Sequence, residues 1–149
     1  MSASLRLLDP ADAPMLAGIH AECFDGESWS IDQLRGSLML DSTKGWLALC
    51  EEQPAGFLLC QVTPEQVEVI TFCVRQAARR RGIGEHLLWQ AQKTLPLGAS
   101  LLLEVAADNA PARRLYERCG FTQDGYRKAY YRRGGQTVDA VTYRYGVNG

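Results

Sequence analysis

Arg79-Arg80-Arg81-Gly82-Ile83-Gly84 joins a run of guanidinium groups to two glycines in alternation. Glycine accepts left-handed backbone and leaves no side chain above the peptide, so such a turn can aim successive N–H groups into one concavity. A helix starting there adds its positive end, and the natural guest is a phosphate. A bare Gly-x-Gly is equally a tight turn beside solvated arginines, so the flanking residues decide. Glu85 and His86 follow Gly84 where a P-loop requires Lys and then Ser or Thr. A dinucleotide fingerprint asks for Gly or Ala where Leu87 stands. Glu104 does lie 20 residues past Gly84, as a ribose-binding acid would, but the motif follows three predicted strands instead of opening the fold.

The segments around the motif must hold it. Val74 ends an extended run before it, and Ile83, Leu87, Leu88 and Ala91 recur at helical spacing after it until Pro96 and Gly98. Upstream, a strand at residues 5–8 leads to Asp9 as N-cap, with Pro10 at the first position of a helix through Met15, Leu16, Ile19 and Cys23. A loop at 25–29 follows. Ser30-x-x-Gln33 is a capping box for a second helix bearing Ile31, Leu34 and Leu38. Strands at 46–50, 56–62 and 67–74, separated by turns at Gln53-Pro54 and Thr63-Pro64, make an antiparallel meander. Downstream, residues 100–105 form a nearly continuous apolar strand, and Asn109 with Pro111 opens a helix through Leu115, Tyr116 and Cys119 closed by Gly120. Strands at 121–131 and 138–145 flank Arg133-Gly134-Gly135. These elements predict one α/β (α+β) domain over residues 1–149, a mixed sheet with helices on both faces in the order βααβββαβαββ.

With 149 residues, 46% of them hydrophobic, the chain can bury a sizeable core. It has no apolar run of roughly 20 residues and no cleavage-site pattern after Met1, which predicts neither membrane insertion nor secretion. Five cysteines, odd in number and without a C-x-x-C pair, read as buried thiols of the reducing cytoplasm. With only His20 and His86 beside them, no metal site is expected. Residues 1–70 carry three basic and eleven acidic side chains, and residues 71–149 thirteen basic and six acidic. A basic half suits an anionic ligand and an acidic half a cationic one. Glu104, Asp108 and Glu117 interrupt the arginines at 113, 114, 118 and 127, which argues against a nucleic-acid face.

Arg79 to Gly84 resembles the coenzyme A motif Arg/Gln-x-x-Gly-x-Gly/Ala of the GCN5-related acetyltransferase (GNAT) superfamily. The order of elements over nearly the whole chain is similar to that superfamily's, as is the stretch with Leu103-Glu104-Val105, Asn109 and Leu115-Tyr116-Glu117-Arg118-Cys119-Gly120-Phe121. Trp29-Ser30, Leu-Glu-Val before Asn109, Leu115-Tyr116, and Tyr130-Tyr131 after Arg127-Lys128 resemble the bacterial ribosomal-protein alanine N-acetyltransferase (RimI-like) branch. The resemblance implies a mostly antiparallel sheet, acetyl-coenzyme A as co-substrate and no metal. It also implies an acceptor at a protein N-terminus, a ribosomal protein in this branch; the acidic half of the chain would suit a basic one. By resemblance, the backbone of Phe72, Cys73 and Val74 holds the pantetheine and acetyl groups. The turn formed by Arg79, Arg80, Arg81, Gly82, Ile83, Gly84 and Glu85 holds the pyrophosphate, and Asn109 lies near the thiol end. Glu104 is then the general base, Tyr116 the general acid, and Trp29 and Tyr131 line the peptide site. The sequence departs from the pattern at Glu85, where a basic or neutral residue is commoner, and at Arg79, where glutamine is; the neighbouring arginines would offset Glu85.

These roles agree with the chemistry. An ammonium cannot attack a thioester, and deprotonating an α-amine at neutral pH costs about 1 kcal/mol against roughly 4.6 for lysine. A carboxylate acting through water can take the proton, strand N–H groups near Cys73 and Val74 can meet the oxyanion, and a phenol can protonate the leaving thiolate. Plainer readings stand beside them. Glu104 in an apolar strand needs a partner or a function, Tyr116 can be a packed aromatic, and Trp29 can simply precede the Ser30 cap. His20 reads as structural or solvent-facing, and His86 lies within reach of a phosphate. Lysine side chains and small-molecule amines remain alternative acceptors, and a non-catalytic acyl-coenzyme A sensor or a nucleic-acid-binding module is the rival of another class.

Overall fold

Reciprocal side-chain caps start the fold in the computed structural model, which describes residues 3–24, 28–133 and 135–146. Residues 25–27 of the predicted loop, Gly134 of the predicted turn, and Met1 and Ser2 lie outside them. β1 (Ser4–Leu7) runs into Asp9, whose carboxylate accepts from the Ala11 N–H while Asp12 accepts from the Asp9 N–H. The helix expected from Pro10 therefore opens as a single 3-10 turn, Pro10–Asp12, before α1 (Ala13–Cys23). Asp12 also pairs with Arg6 at 2.8 Å, which ties the tightened turn back to β1. At α2 (Ile31–Leu38) the predicted capping box is present, with Gln33 N–H to Ser30 Oγ at 3.1 Å and Ser30 N–H to Gln33 Oε1 at 2.8 Å.

β2 (Thr43–Cys50), β3 (Gln53–Val62) and β4 (Gln66–Val74) form the expected antiparallel meander. Its first turn falls on Glu51 and Glu52, both left-handed with φ of 53° and 66°, not on Gln53-Pro54. Pro54 is tolerated inside β3 because the register shifts there, from Ala48 opposite Gly56 to Leu49 opposite Pro54. A residue without an N–H sits at such an irregularity at little cost. α3 (Ile83–Lys93), β5 (Ser100–Ala106), α4 (Ala110–Arg118), β6 (Thr122–Arg133) and β7 (Gln136–Gly146) complete the predicted order.

The seven strands make one sheet in the order β1-β2-β3-β4-β5-β7-β6, antiparallel except between β4 and β5. Alternation of side chains along each strand feeds two cores. Leu58, Leu101, Leu103 and Tyr143 pack with Leu87 and Leu88 of α3 and Tyr116 of α4, while Leu47 and Phe57 pack with Leu16 of α1 and Leu34 of α2. Among the described residues no helix is long and apolar enough to cross a membrane.

One irregularity positions everything that follows. β4 and β5 pair only from Gln66 with Ser100 to Glu68 with Leu102, although β4 continues to Val74 and β5 to Ala106. On its other edge β4 carries a bulge at Ile70, between the pairs Thr71 with Leu59 and Val69 with Cys60. A bulge bends and twists its strand, and here β4 leaves β5 just beyond it. Gly56 sets the approach of β3 to the departing end, because a Cβ there would meet Cys73 O at 2.6 Å and Val74 Cα at 3.0 Å. Gly56→Ala is expected to cost about 1–3 kcal/mol in denaturant melts, the range for overpacking. By the family resemblance the gap is where the coenzyme is expected, so calorimetry should also show weaker coenzyme A binding. Gly18→Ala, whose added Cβ would have nothing within 4 Å, should leave both measurements intact.

Candidate active site

The gap between β4 and β5 is lined by backbone. Arg75 N–H bonds Ala55 C=O at 2.8 Å, which makes Gly56 and Val74 a non-hydrogen-bonded pair across β3 and β4. Val74 and, two residues back, Phe72 therefore direct their N–H and C=O groups away from β3 and into the gap, while Cys73 bonds toward β3. Val74 C=O accepts from Arg79 Nε at 3.1 Å and from Cys23 Sγ at 3.5 Å. The resemblance grouped Phe72, Cys73 and Val74; the strand splits them, with the outer two facing the gap by backbone.

Beyond Val74, a 3-10 turn (Gln76–Ala78) leads to backbone that alternates in hand, Arg80 at φ 66° and Gly82 at φ 75°. The first bond of α3 runs from His86 N–H to Gly82 C=O at 3.0 Å, so the N–H groups of Ile83, Gly84 and Glu85 precede the helical ladder. The two glycines do different things. Gly82 supplies the left-handed turn, whereas Gly84 permits close packing, since a Cβ there would sit 3.2 Å from Leu115 and 3.4 Å from Phe72. Glu85 is neutralised by Arg118 of α4, at 2.9 Å, and not by the arginines next to it as expected. Arg79 turns back to Val74 C=O, and Arg81 Nη1 reaches Cys50 Sγ at 4.0 Å. His86 is half-buried beside Trp89, ring centroids 6.3 Å apart, in an open groove of about 600 Å³ that Arg81, Gly82 and Arg118 also line.

Across the gap Glu104 has the partner its apolar strand demanded. Arg127 Nε lies 3.2 Å from Oε2, an ion pair in which that oxygen, itself buried, makes no hydrogen bond. The Glu104 side chain is 26% exposed and that of Arg127 55%. Arg127 reaches it because β6 is hooked. The pairing slips from Arg127 with Ala140 to Tyr131 with Val138, so Lys128, Ala129 and Tyr130 stand opposite Asp139 alone. Asp139 pins the hook, accepting from Ala129 N–H at 2.7 Å and from the Tyr126 hydroxyl. Those bonds, the Tyr126 one first, hold its carboxyl below the usual range. Ala129 adopts φ 52°, and the Arg127 guanidinium lies 5.0 Å over the Tyr130 ring. Tyr131 is half-buried, and burial, then the nearby charge of Glu104, pushes its hydroxyl up to about 12.

Tyr116 is 7% exposed and meets Phe72 at 6.3 Å, Phe121 at 6.0 Å and Tyr143 edge-on at 5.7 Å. It is thus a packed aromatic whose ring also borders β4, and burial, ahead of the field of Tyr131, raises its hydroxyl well above the ordinary phenol range. Asn109 Oδ1 accepts from Ala112 N–H at 3.2 Å, so its side-chain oxygen serves the predicted cap. Sequence reasoning missed what moors α4. The buried Tyr143 hydroxyl accepts from Arg113 Nε at 3.0 Å and donates to Glu117 at 2.9 Å, while Arg113 Nη1 bonds Ala107 C=O at 3.0 Å.

His20 is not solvent-facing. It is 2% exposed, its Nδ1 accepts from the Trp29 N–H at 3.1 Å, and its Nε2 lies 3.1 Å from Thr71 Oγ1. A donor at Nδ1 leaves the ring proton on Nε2, so a neutral His20 donates to Thr71, beside Phe72. Stacked on Phe24 at 4.4 Å, it ties the segment carrying Trp29 to β4, and burial lowers its pKa. The cysteines are not uniformly buried either: Cys23 and Cys119 are intermediate. Hydrogen bonding to Cys73, together with nearby Arg79, pulls the Cys23 thiol down.

A family model described as "Acetyltransferase (GNAT) family" matches residues 13–121. The N-alpha-acetyltransferase RimI of Mycobacterium tuberculosis is 40% identical over 58% of this chain and 52% of its own length. The chain spans about half the length of the RimI-type relatives it matches. Among solved structures, the ribosomal-protein-S18-alanine N-acetyltransferase of Escherichia coli superposes with a TM-score of 0.88 at 25% identity, covering 99% of this chain and 98% of that one. Arabidopsis thaliana NAA60 in complex with acetyl-CoA gives 0.86 at 22% identity over 99% and 100%, a likeness of fold.

The His20 contacts imply a pH dependence. Its folded pKa lies below the unfolded value of about 6.5, so its contribution to stability is complete above that value and drains away as pH falls toward the folded pKa. Denaturant melts should show wild-type stability falling from about pH 7.5 to about pH 5.5 more steeply than that of His20→Gln. Parallel pH profiles for the two proteins would contradict the buried neutral imidazole.

Proposed function

Because the chain belongs to the acetyltransferase (GNAT) family, we propose that it is an acetyl-coenzyme A-dependent N-acetyltransferase acting on the α-amine at a protein or peptide N-terminus, a ribosomal-protein N-terminal alanine in the first instance. The observation that carries the reading is the gap between β4 and β5, with the amide of Val74 facing it and Glu104 on the opposite strand. The residues fit the coenzyme. The left-handed turn at Arg80 and Gly82, followed by the leading N–H groups of α3, suits a pyrophosphate, and the Phe72 and Val74 amides suit the pantetheine and acetyl carbonyls. The bound thioester supplies an activated acetyl group.

The protein residues do the rest. Glu104, through a water, takes the proton that the acceptor ammonium must lose, a demand lighter for an α-amine than for lysine. Val74 N–H donates to the oxygen on which charge develops. Tyr116, protonated at neutral pH as a phenol is, donates to the departing thiolate. Trp29 and Tyr131 border the acceptor's path. The names of the E. coli and M. tuberculosis proteins support an N-terminal acceptor for this chain.

Calorimetry with coenzyme A should show binding retained in Glu104→Gln and Tyr116→Phe. Turnover of an Ala-initiated peptide should fall on the order of 10²-fold in each, the loss expected of a general base or acid. Acetylation of lysine or a polyamine, with that peptide untouched, would put the acceptor elsewhere.

A further inference from the structure

One histidine holds both described ends of the connection between α1 and α2. Phe24, which follows α1, stacks on the His20 ring at 4.4 Å and donates its N–H to His20 C=O at 2.8 Å. Trp29, just before the Ser30 cap of α2, donates its N–H to Nδ1 at 3.1 Å, with its own ring 5.8 Å from the imidazole. The remaining ring nitrogen, Nε2, lies 3.1 Å from Thr71 Oγ1 on β4. His20 is 2% exposed and Thr71 7%, so bulk water does not compete for these bonds.

The Trp29 backbone fixes the direction of the whole bridge. An N–H can only donate, so Nδ1 is the bare nitrogen and Nε2 carries the proton that Thr71 accepts. A planar ring between the two partners sets their separation, with no torsion to adjust it. Thr71 comes directly after the Ile70 bulge and directly before Phe72, so the anchor is the stretch of β4 that borders the gap. The Trp29 side chain also packs, half-buried, against the core cluster of Leu16, Ile19 and Leu34. Apolar packing has no direction, and the bond to Nδ1 is what fixes where the Trp29 backbone sits. His20 itself bonds nothing in the gap; what it does there passes through Trp29.

Resting on the reading in which Trp29 borders the acceptor's path, we propose that His20, anchored on Thr71, is a positioning residue for the acceptor. The imidazole holds the Trp29 backbone against β4, so that this wall of the acceptor's path is set before the amine arrives. Without the support, the acceptor must order that wall as it binds, and the cost falls on its KM. The coenzyme, assigned to the β4 backbone and the turn before α3, is little affected.

Initial rates with an Ala-initiated peptide separate KM from kcat, and calorimetry gives the affinity for coenzyme A. His20→Phe keeps a ring and removes both nitrogens. It should raise the peptide KM by about threefold to tenfold, the range of one lost hydrogen bond, with kcat and coenzyme A affinity within about twofold of wild type. His20→Asn, whose amide oxygen falls near the position of Nδ1, should bring KM back to within about twofold of wild type. Thr71→Val should raise KM as well, and adding it to His20→Phe should raise it no further, because the two side chains act as one support. A loss of folded protein lowers kcat and leaves KM alone, so the split tells positioning from stability. Should His20→Phe fail to fold, Thr71→Val decides, compared with Thr71→Ser, which keeps the hydroxyl. An unchanged KM in folded His20→Phe, or a coenzyme A affinity that weakens as much as KM rises, overturns the proposal while leaving the N-terminal acceptor in place. If wild type ignores the peptide and acetylates a polyamine, the N-terminal reading falls, and the same ratios measured on the polyamine decide the role of His20.

Discussion

Two neighbouring strands that stop pairing after three residues leave amides and carbonyls without partners in the sheet, and backbone polar groups are costly to leave unsatisfied. The rest of the site is built around that constraint. The Ile70 bulge turns β4 aside, Gly56 lets β3 follow it, and Gly84 lets α3 close over Phe72. Arg79 and Cys23 cap the exposed Val74 carbonyl. The amides of Phe72 and Val74 face the gap, and α3 starts a short turn beyond the end of β4, so the break in pairing and the backbone donors it frees have one origin.

Local signals were legible in the sequence. Ser30 with Gln33, Asn109 before Pro111, and Gly82 at the start of α3 each follow from a short-range rule, and each element begins where its rule places it. The first turn of the meander was misplaced because Gln53-Pro54 carries the ordinary turn signature, whereas two glutamates in left-handed backbone carry none. The family motif led to Glu104 and Tyr116, and the structure gives each a definite environment. It could not give their partners. His20 meets Thr71 from 51 residues away, and Asp139 pins Ala129 through a slip in strand register; neither leaves a mark in composition or spacing.

Electrostatics shows the same division between chain and fold. Halves that are opposite in sign along the sequence meet at one seam of the sheet, where the start of β4 pairs with β5. The arginines next to Glu85 leave its charge to Arg118 on another helix, and Glu104 finds Arg127 on β6. Pair geometry, not net charge, sets the field that a substrate meets.

The hook in β6 separates two tasks within one hairpin. Because Asp139 clamps the chain at Ala129, the tip beyond Tyr131 can drift in length and composition without carrying Arg127 away from Glu104. Variation at the tip is thus uncoupled from the pairing of Arg127 with Glu104, and only the residues beyond the clamp have to accommodate it.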